Sequence, residues 1–435
     1  MEALRDNYRE FRLNNGLVVA LQNLPYSKNY AGLKFNIGSL HESEEERGLA
    51  HFLEHCLTIS DVETRLNGYQ CNISDFSDVH AGTCSIFTQF EVSLPKRFLR
   101  EQLSYLRSMF KPSLRKVDVD SERNDVLKEI SGRTVNDEEY ENVTRETFYR
   151  GHPEAIWTLG NPEVVEQATI EDLLKFHRKG YHPSNAELIV IGDLPQDVYQ
   201  LIGKTFGDLE EGVSTRSKLS SNVSLKNRDI LYKQYPGFRH ENPDQSSARF
   251  LFYFHAPPRN DPDFPAYQLL TTIFGSSNNC RIQKSLRNKG YINKSITGIG
   301  SSENGGHLRI DLLGYASKME KIVFGIFEDF RALREGYVTR EEIEQAKILY
   351  EMSVADMIDN PDGRVELIRD KLLGFSVESD LENALRMTPK NLLAVAKRWI
   401  PAGIKDTNFV LNIMGPEPMD SCEQLTHIVD RFNGI

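Results

Sequence analysis

Residues 169–192 read TIEDLLKFHRKGYHPSNAELIVIG, and residues 388–415 read TPKNLLAVAKRWIPAGIKDTNFVLNIMG. In the first stretch Thr169, with Asp172 three residues on, is the capping pattern of a helix start, and Leu173, Leu174 and Phe176 supply the apolar stripe. Tyr181 and Pro183 then lead to Leu188–Ile191, an apolar run of strand length closed by Gly192. The second stretch repeats the plan: Thr388, Pro389 at the first helical position, Leu392, Leu393 and Val395, then Pro401 and the strand Phe409 to Met414 before Gly415. The two threonines are 219 residues apart in a chain of 435, so the chain reads as a duplication.

Working outward, each half opens with strands and then a helix. Phe11, Leu13, Leu17 and Val19 flank the turn residues Asn14, Asn15 and Gly16 as a hairpin, and Leu33, Phe35 and Ile37 alternate as a half-buried strand. In the second half Arg249 to Phe254 reads as a strand, Pro257 and Pro258 as a break, and Phe264 to Phe274 as a helix. Glu210 to Asn227 is rich in Ser, Thr, Lys and Gly without apolar periodicity, which reads as a linker. The expected division is therefore 1–212, a linker at 213–228, and 229–435.

With 39% hydrophobic and 26% charged residues the composition is that of a globular protein. A formal net charge of −11 argues against nucleic acid or an anionic membrane as the main partner. No apolar run approaches the ~18 residues that span a bilayer, and Met1 to Glu10 carries charges where a secretory signal would be apolar. Five cysteines without a paired short spacing suit reduced thiols, so the expectation is a cytoplasmic protein.

The chemistry-bearing motif is His51-Phe52-Leu53-Glu54-His55, an H-x-x-E-H sequence. On a helix, His51 and His55 at i and i+4 project from one face and can hold a single metal ion. Glu54, one turn beyond His51, can take the proton of a water at that ion. Two histidines do not close a catalytic zinc site, which needs a third protein ligand. The candidate helix carries Glu122 and Glu129 two turns apart with their carboxylates pointing the same way; one could bind metal while the other orients a ligand.

At this point the chain resembles the zinc peptidases of the pitrilysin and insulinase type, in the half-sized branch that includes the mitochondrial processing peptidase. The resemblance runs from Gly48-Leu49-Ala50 and His51/Glu54/His55 through Glu122-Arg123-Asn124 to Glu129, His152-Pro153 to Leu159-Gly160, and Tyr181-His182-Pro183-Ser184-Asn185. It continues in the second half through Pro257 to Asp263 and Cys280-Arg281-Ile282 to Leu286-Arg287. It implies an α+β fold: two homologous α/β-sandwich domains, each a mixed sheet with helices on one face, forming a clamshell around an extended peptide. The second domain is metal-free. It further implies Zn²⁺ held by His51, His55 and Glu129, a supporting carboxylate at Glu122, and Glu54 as general base.

The pattern breaks in two places. Active relatives carry an Arg and, seven residues later, a Tyr in the second half. Arg287 matches the first, but Lys294 stands seven residues on and the nearby aromatic, Tyr291, comes early. Either Tyr291 is presented by an altered turn, or a homologous partner supplies the missing group in a homo- or heterodimer. The family's Asn-Ala-x-Thr-like edge strand, which pairs with the substrate backbone, finds its nearest counterpart in Cys71-Asn72-Ile73-Ser74. Asn72, Arg287 and Tyr291 are thus the expected substrate contacts. The expected activity is a zinc-dependent endopeptidase on peptides or unfolded presequences; the alternative is a non-catalytic, metal-bearing subunit that binds peptides within a processing complex.

Overall fold

The computed structural model describes residues 7–59, 63–66, 69–73, 79–133, 137–150, 152, 155, 157–212, 229–301, 305–403 and 409–416. The first half runs β1 (Tyr8–Arg12), β2 (Val18–Asn23), β3 (Lys28–Phe35), α1 (Leu49–Thr58), β4 (Glu63–Leu66), β5 (Tyr69–Asn72), β6 (Val79–Thr83) and β7 (Thr88–Pro95). It continues with α2 (Leu99–Ser108), α3 (Lys116–Arg133), α4 (Asp137–Phe148), α5 (Pro162–Gln167), α6 (Ile170–Gly180), β8 (Ala186–Gly192) and α7 (Val198–Phe206). The second half has β9 (Asp229–Gln234), β10 (Ser247–Ala256), α8 (Phe264–Phe274), β11 (Ile292–Ser301), β12 (Gly306–Tyr315) and α9 (Met319–Arg334). Four helices and a strand close it: α10 (Arg340–Asp359), α11 (Pro361–Leu372), α12 (Val377–Leu385), α13 (Pro389–Trp399) and β13 (Phe409–Gly415).

The duplication is written in the sheets. The first has the order β1-β2-β8-β3-β7-β6 and the second β11-β12-β10-β13-β9. Reversing the second gives β9-β13-β10-β12-β11, which superposes on β2-β8-β3-β7-β6 strand for strand. The parallel pair matches as well, β2 with β8 and β13 with β9, while the remaining pairs are antiparallel. Both threonine caps form: Thr169 and Asp172 exchange hydrogen bonds of 2.9 and 3.2 Å, and Thr388 and Asn391 of 3.2 and 3.3 Å. β8 and β13 are buried along their whole length, because each lies inside its sheet; hence their mainly apolar runs, broken by Glu187 in one and Asn412 in the other. β7 instead alternates, turning Thr88, Phe90, Val92 and Leu94 into the core with Phe35, Phe52 and Phe176.

The compact units do not follow the halves. One comprises 1–136, 156–218 and 361–368; the other comprises 137–155, 219–360 and 369–435. Against the expected division at 1–212 and 229–435, residues 137–155 group with the second unit and 361–368 with the first, and the expected linker at 213–228 lies outside the described residues. The physical reason is visible at α4. Tyr140, Phe148 and Tyr149 pack with Leu251, Tyr253, Val410 and Met414, the side of the second sheet away from α8 and α9. Asn412 Nδ2 donates to Tyr140 O and Thr144 Oγ1 at 3.0 Å each, and Arg309 binds both oxygens of Glu141 at 2.9 and 3.0 Å. A sheet buried on both faces needs a second cover, and α4 supplies it. Glu141 is thus the ion-pair partner of Arg309. No helix among the described residues is long and apolar enough to cross a membrane.

Candidate metal centre and active site

Helix α1 carries the motif because its start is pinned. Gly48 caps it at φ +104°, a left-handed conformation that favours glycine, and a methyl group added to Gly160 would lie 2.1 Å from Gly48 Cα. Only two glycines allow the chain at Leu159–Gly160 to cross so close. Phe52, Leu53, Cys56 and Leu57 turn into the core, leaving His51, Glu54 and His55 toward β6 and α3. Helix α3 is clamped beside it: the Arg123 guanidinium lies 5.1 Å from the Phe52 ring and donates to Val165 O at 2.5 Å.

These two helices bring one atom each from His51, His55 and Glu129 within 4.8 Å of one another. His51 Nε2 is 3.5 Å and His55 Nε2 3.4 Å from the same oxygen, Glu129 Oε2. Zinc bonds of about 2.0 to 2.1 Å at tetrahedral angles place ligand atoms about 3.3 to 3.4 Å apart, so the spacing fits a zinc ion between them. The donor set, two imidazoles and a carboxylate, is a zinc set with room for a fourth ligand. Glu122 Oε2 accepts from His55 Nδ1 at 3.0 Å, which keeps the proton on Nδ1 and the lone pair on Nε2 facing Glu129.

Glu54 is 7% exposed, and burial pushes its carboxyl up to about 7. Neighbouring Glu129 and Glu122 add to the rise; His55 and a hydrogen bond from Thr83 Oγ1, 3.1 Å from Glu54 Oε2, oppose it. Burial disfavours a charged His55, but the bond to Glu122 and the charges of Glu54, Glu122 and Glu129 outweigh it, so His55 is raised. Burial holds the Cys56 thiol up at about 12, which leaves it a packing residue.

Of the expected residues, the structure gathers His51, Glu54, His55, Glu122 and Glu129 in one unit. Asn72 lies on β5, which among the described residues pairs with β4 in a two-stranded ribbon, and its side chain lies outside the described residues. The outer strand of the main sheet beside α1 is β6, where His80-Ala81-Gly82-Thr83 fits the Asn-Ala-x-Thr pattern with His in place of Asn. Thr83 was findable by the same pattern, read eight residues downstream. Arg287 is exposed at the end of a π-helical turn, 3.3 Å from Gln283 Oε1, and Tyr291 is half-buried against the second core with Lys321 Nζ 5.3 Å from its ring. Their described contacts lie inside the second unit. At the place of α1 the second unit has α8, whose residues include Tyr267, Gln268 and Thr271, and no metal-ligating group occurs there among the described residues. Glu42, unmarked by any motif, accepts from the backbone at the start of α1.

Comparison with known proteins gives the family. The insulinase family, peptidase family M16, matches residues 18–161, and the peptidase M16 inactive domain matches residues 167–350. An uncharacterized zinc protease of Rickettsia felis is 26% identical over 297 residues, 66% of this chain and 68% of that protein. Protease 3 of Escherichia coli is 24% identical over 416 residues, 87% of this chain but 41% of its own length, so the chain spans less than half of that relative. The crystal structure of a protease from Helicobacter pylori shares the fold with a TM-score of 0.81 at 19% identity, covering 94% of this chain and 99% of that one.

Proposed function

The chain belongs to the pitrilysin and insulinase type of peptidase, family M16, and on that premise we propose that it is a zinc-dependent endopeptidase acting on extended peptides. The observation that carries the reading is the convergence of His51 Nε2, His55 Nε2 and Glu129 Oε2 beside a buried Glu54. Zinc held there supplies a Lewis acid that polarises the scissile carbonyl and brings the pKa of water toward ~7.

The remaining work falls to the chain's own groups. Glu54, with one oxygen held by the Thr83 hydroxyl, has the other free to take a proton from the attacking water and return it to the departing amine. Glu122 keeps His55 in the tautomer that offers Nε2. Among the described residues strand β6 pairs with β7 alone, and its outer edge can pair with an extended backbone; a peptide lying there passes Thr83 and therefore Glu54. Such pairing selects unfolded segments over folded proteins.

Because no Tyr stands seven residues after Arg287, we further propose that full oxyanion stabilisation draws on a homologous partner chain. That same gap favours the second reading, a metal-bearing subunit that binds peptides without cutting them. The test is cleavage of an unstructured peptide by the pure chain, alone and with a homologous chain carrying the Arg/Tyr pair, before and after zinc is stripped by a chelator and restored. Zinc-dependent cleavage supports the peptidase. Zinc binding without cleavage under either condition supports the second reading.

A further inference from the structure

Gly48, the residue that opens α1, has no side chain with which to cap its own helix, and the first-turn N–H groups have no intrahelical acceptor. Two N–H groups there, those of Gly48 and Ala50, are satisfied by Glu42, six residues before Gly48. Glu42 Oε2 accepts from Gly48 N–H at 3.1 Å and Glu42 Oε1 from Ala50 N–H at 2.7 Å, so one carboxylate spans the first turn with both oxygens. Ala50 immediately precedes His51. Glu42 is 6% exposed, and a buried carboxylate at a helix N-terminus is held by charge-assisted bonds and by the helix dipole.

The segment bearing Glu42 is itself anchored. Ser39 N–H donates to Cys84 O at 3.3 Å and Leu40 N–H to Ser85 O at 2.8 Å, the residues directly after Thr83. A methyl group on Gly38 would meet Cys84 O at 2.2 Å, so the two backbones are in close contact. Glu42 thus ties the start of the metal helix to the end of the strand that orients Glu54.

We propose that Glu42 is a positioning residue for the metal centre: by gripping the first turn of α1 it sets the register of His51 against His55 and Glu129 before metal arrives. This rests on the zinc reading above. A group that steadied the metal-free and metal-loaded states equally would leave zinc affinity unchanged. A group that pre-orders the ligand helix lowers the ordering that zinc must otherwise impose, and its loss weakens binding. In Glu42→Gln the side-chain volume is kept, but an NH₂ replaces one acceptor and faces a backbone N–H.

The experiment measures zinc dissociation constants by chelator competition for wild type, Glu42→Gln and Glu42→Asp, with Tm of each protein without and with zinc. The expected result is affinity at least ~10-fold weaker in Glu42→Gln, an intermediate loss in Glu42→Asp, and a smaller zinc-induced rise in Tm. Zinc affinity in Glu42→Gln within about twofold of wild type, with equal Tm losses in both states, would overturn the proposal. Amide exchange on metal-free wild type tests it without any variant: Gly48 and Ala50 amides are expected to be protected, and open-chain exchange there would overturn it. A wild-type chain that binds no zinc would instead overturn the metal reading, with the amide result still standing as a measure of the cap.

Discussion

Replacing Glu122 with Gln isolates the carboxylate that touches His55 but not the metal position. The pair is short, 3.0 Å from Nδ1 to Oε2, with side chains 25% and 14% exposed, so it is only partly screened by water. Hydrogen bonds to charged groups contribute about 1.5 to 3 kcal/mol. Metal-site carboxylates of this kind govern affinity by about 10- to 100-fold, or about 1.4 to 2.7 kcal/mol, and the two scales agree. Gln keeps the shape and can accept one bond but carries no charge. Zinc affinity should therefore fall by about 10- to 100-fold, while kcat at saturating zinc should change by less than affinity does. Chelator competition at constant pH reads the first quantity, and peptide turnover under zinc excess reads the second. Affinity within about twofold of wild type would refute the assignment of Glu122 to His55 and leave that bond a bystander.

Further outcomes follow from other contacts. Thr83→Val removes the hydroxyl from Glu54 Oε2 and should lower kcat about 10-fold, one charge-assisted bond, with KM little changed; a loss confined to KM would contradict the role given to Thr83. Gly160→Ala forces a methyl group toward Gly48 Cα at 2.1 Å and should cost more than ~1 kcal/mol of stability, read by urea unfolding; a neutral effect would contradict the close crossing that pins α1. Two buried histidines should make an acid-destabilising contribution in the metal-free protein, because burial lowers His177 to about 4 and His307 to about 3. Both are neutral when folded and protonate on unfolding below ~6.5, so the unfolded state binds more protons and stability falls as pH drops from ~6.5 toward 4. The contribution should be about 2 kcal/mol per histidine at pH 5; because Glu54 and Glu42, raised by burial to about 7, contribute with the opposite sign, it is read as the difference in pH slope between wild type and His307→Gln, and identical slopes would contradict it.

Some of this architecture was legible in the sequence because it is local. H-x-x-E-H fixes three side chains on one helix face by periodicity alone, and the Thr169 and Thr388 caps mark equivalent helices because both bond patterns close within four residues. Glu122 and Glu129 needed only the two-turn repeat of α3, though which of them faces Nε2 became plain only with the packing of α3 on α1. What failed was non-local. The apolar stripe of α4 says that it must be buried but not against which sheet, and the second sheet claims it. Strand order along the chain does not reveal which strand ends at a sheet's edge, so the place of β6 beside α1 and the bond from Thr83 to Glu54 became visible only in the fold. Glu42 escaped notice because helix caps are sought at the residue beside the first turn, and here that residue is Gly48.

The central claim is that a zinc ion held by His51, His55 and Glu129 works with Glu54 as base, and Glu54→Gln tests it most directly. Zinc content and peptide turnover should be measured on the same preparation. The account expects full zinc occupancy with turnover reduced by about 10²- to 10⁴-fold. Equal turnover in wild type and variant, with zinc retained in both, would contradict it.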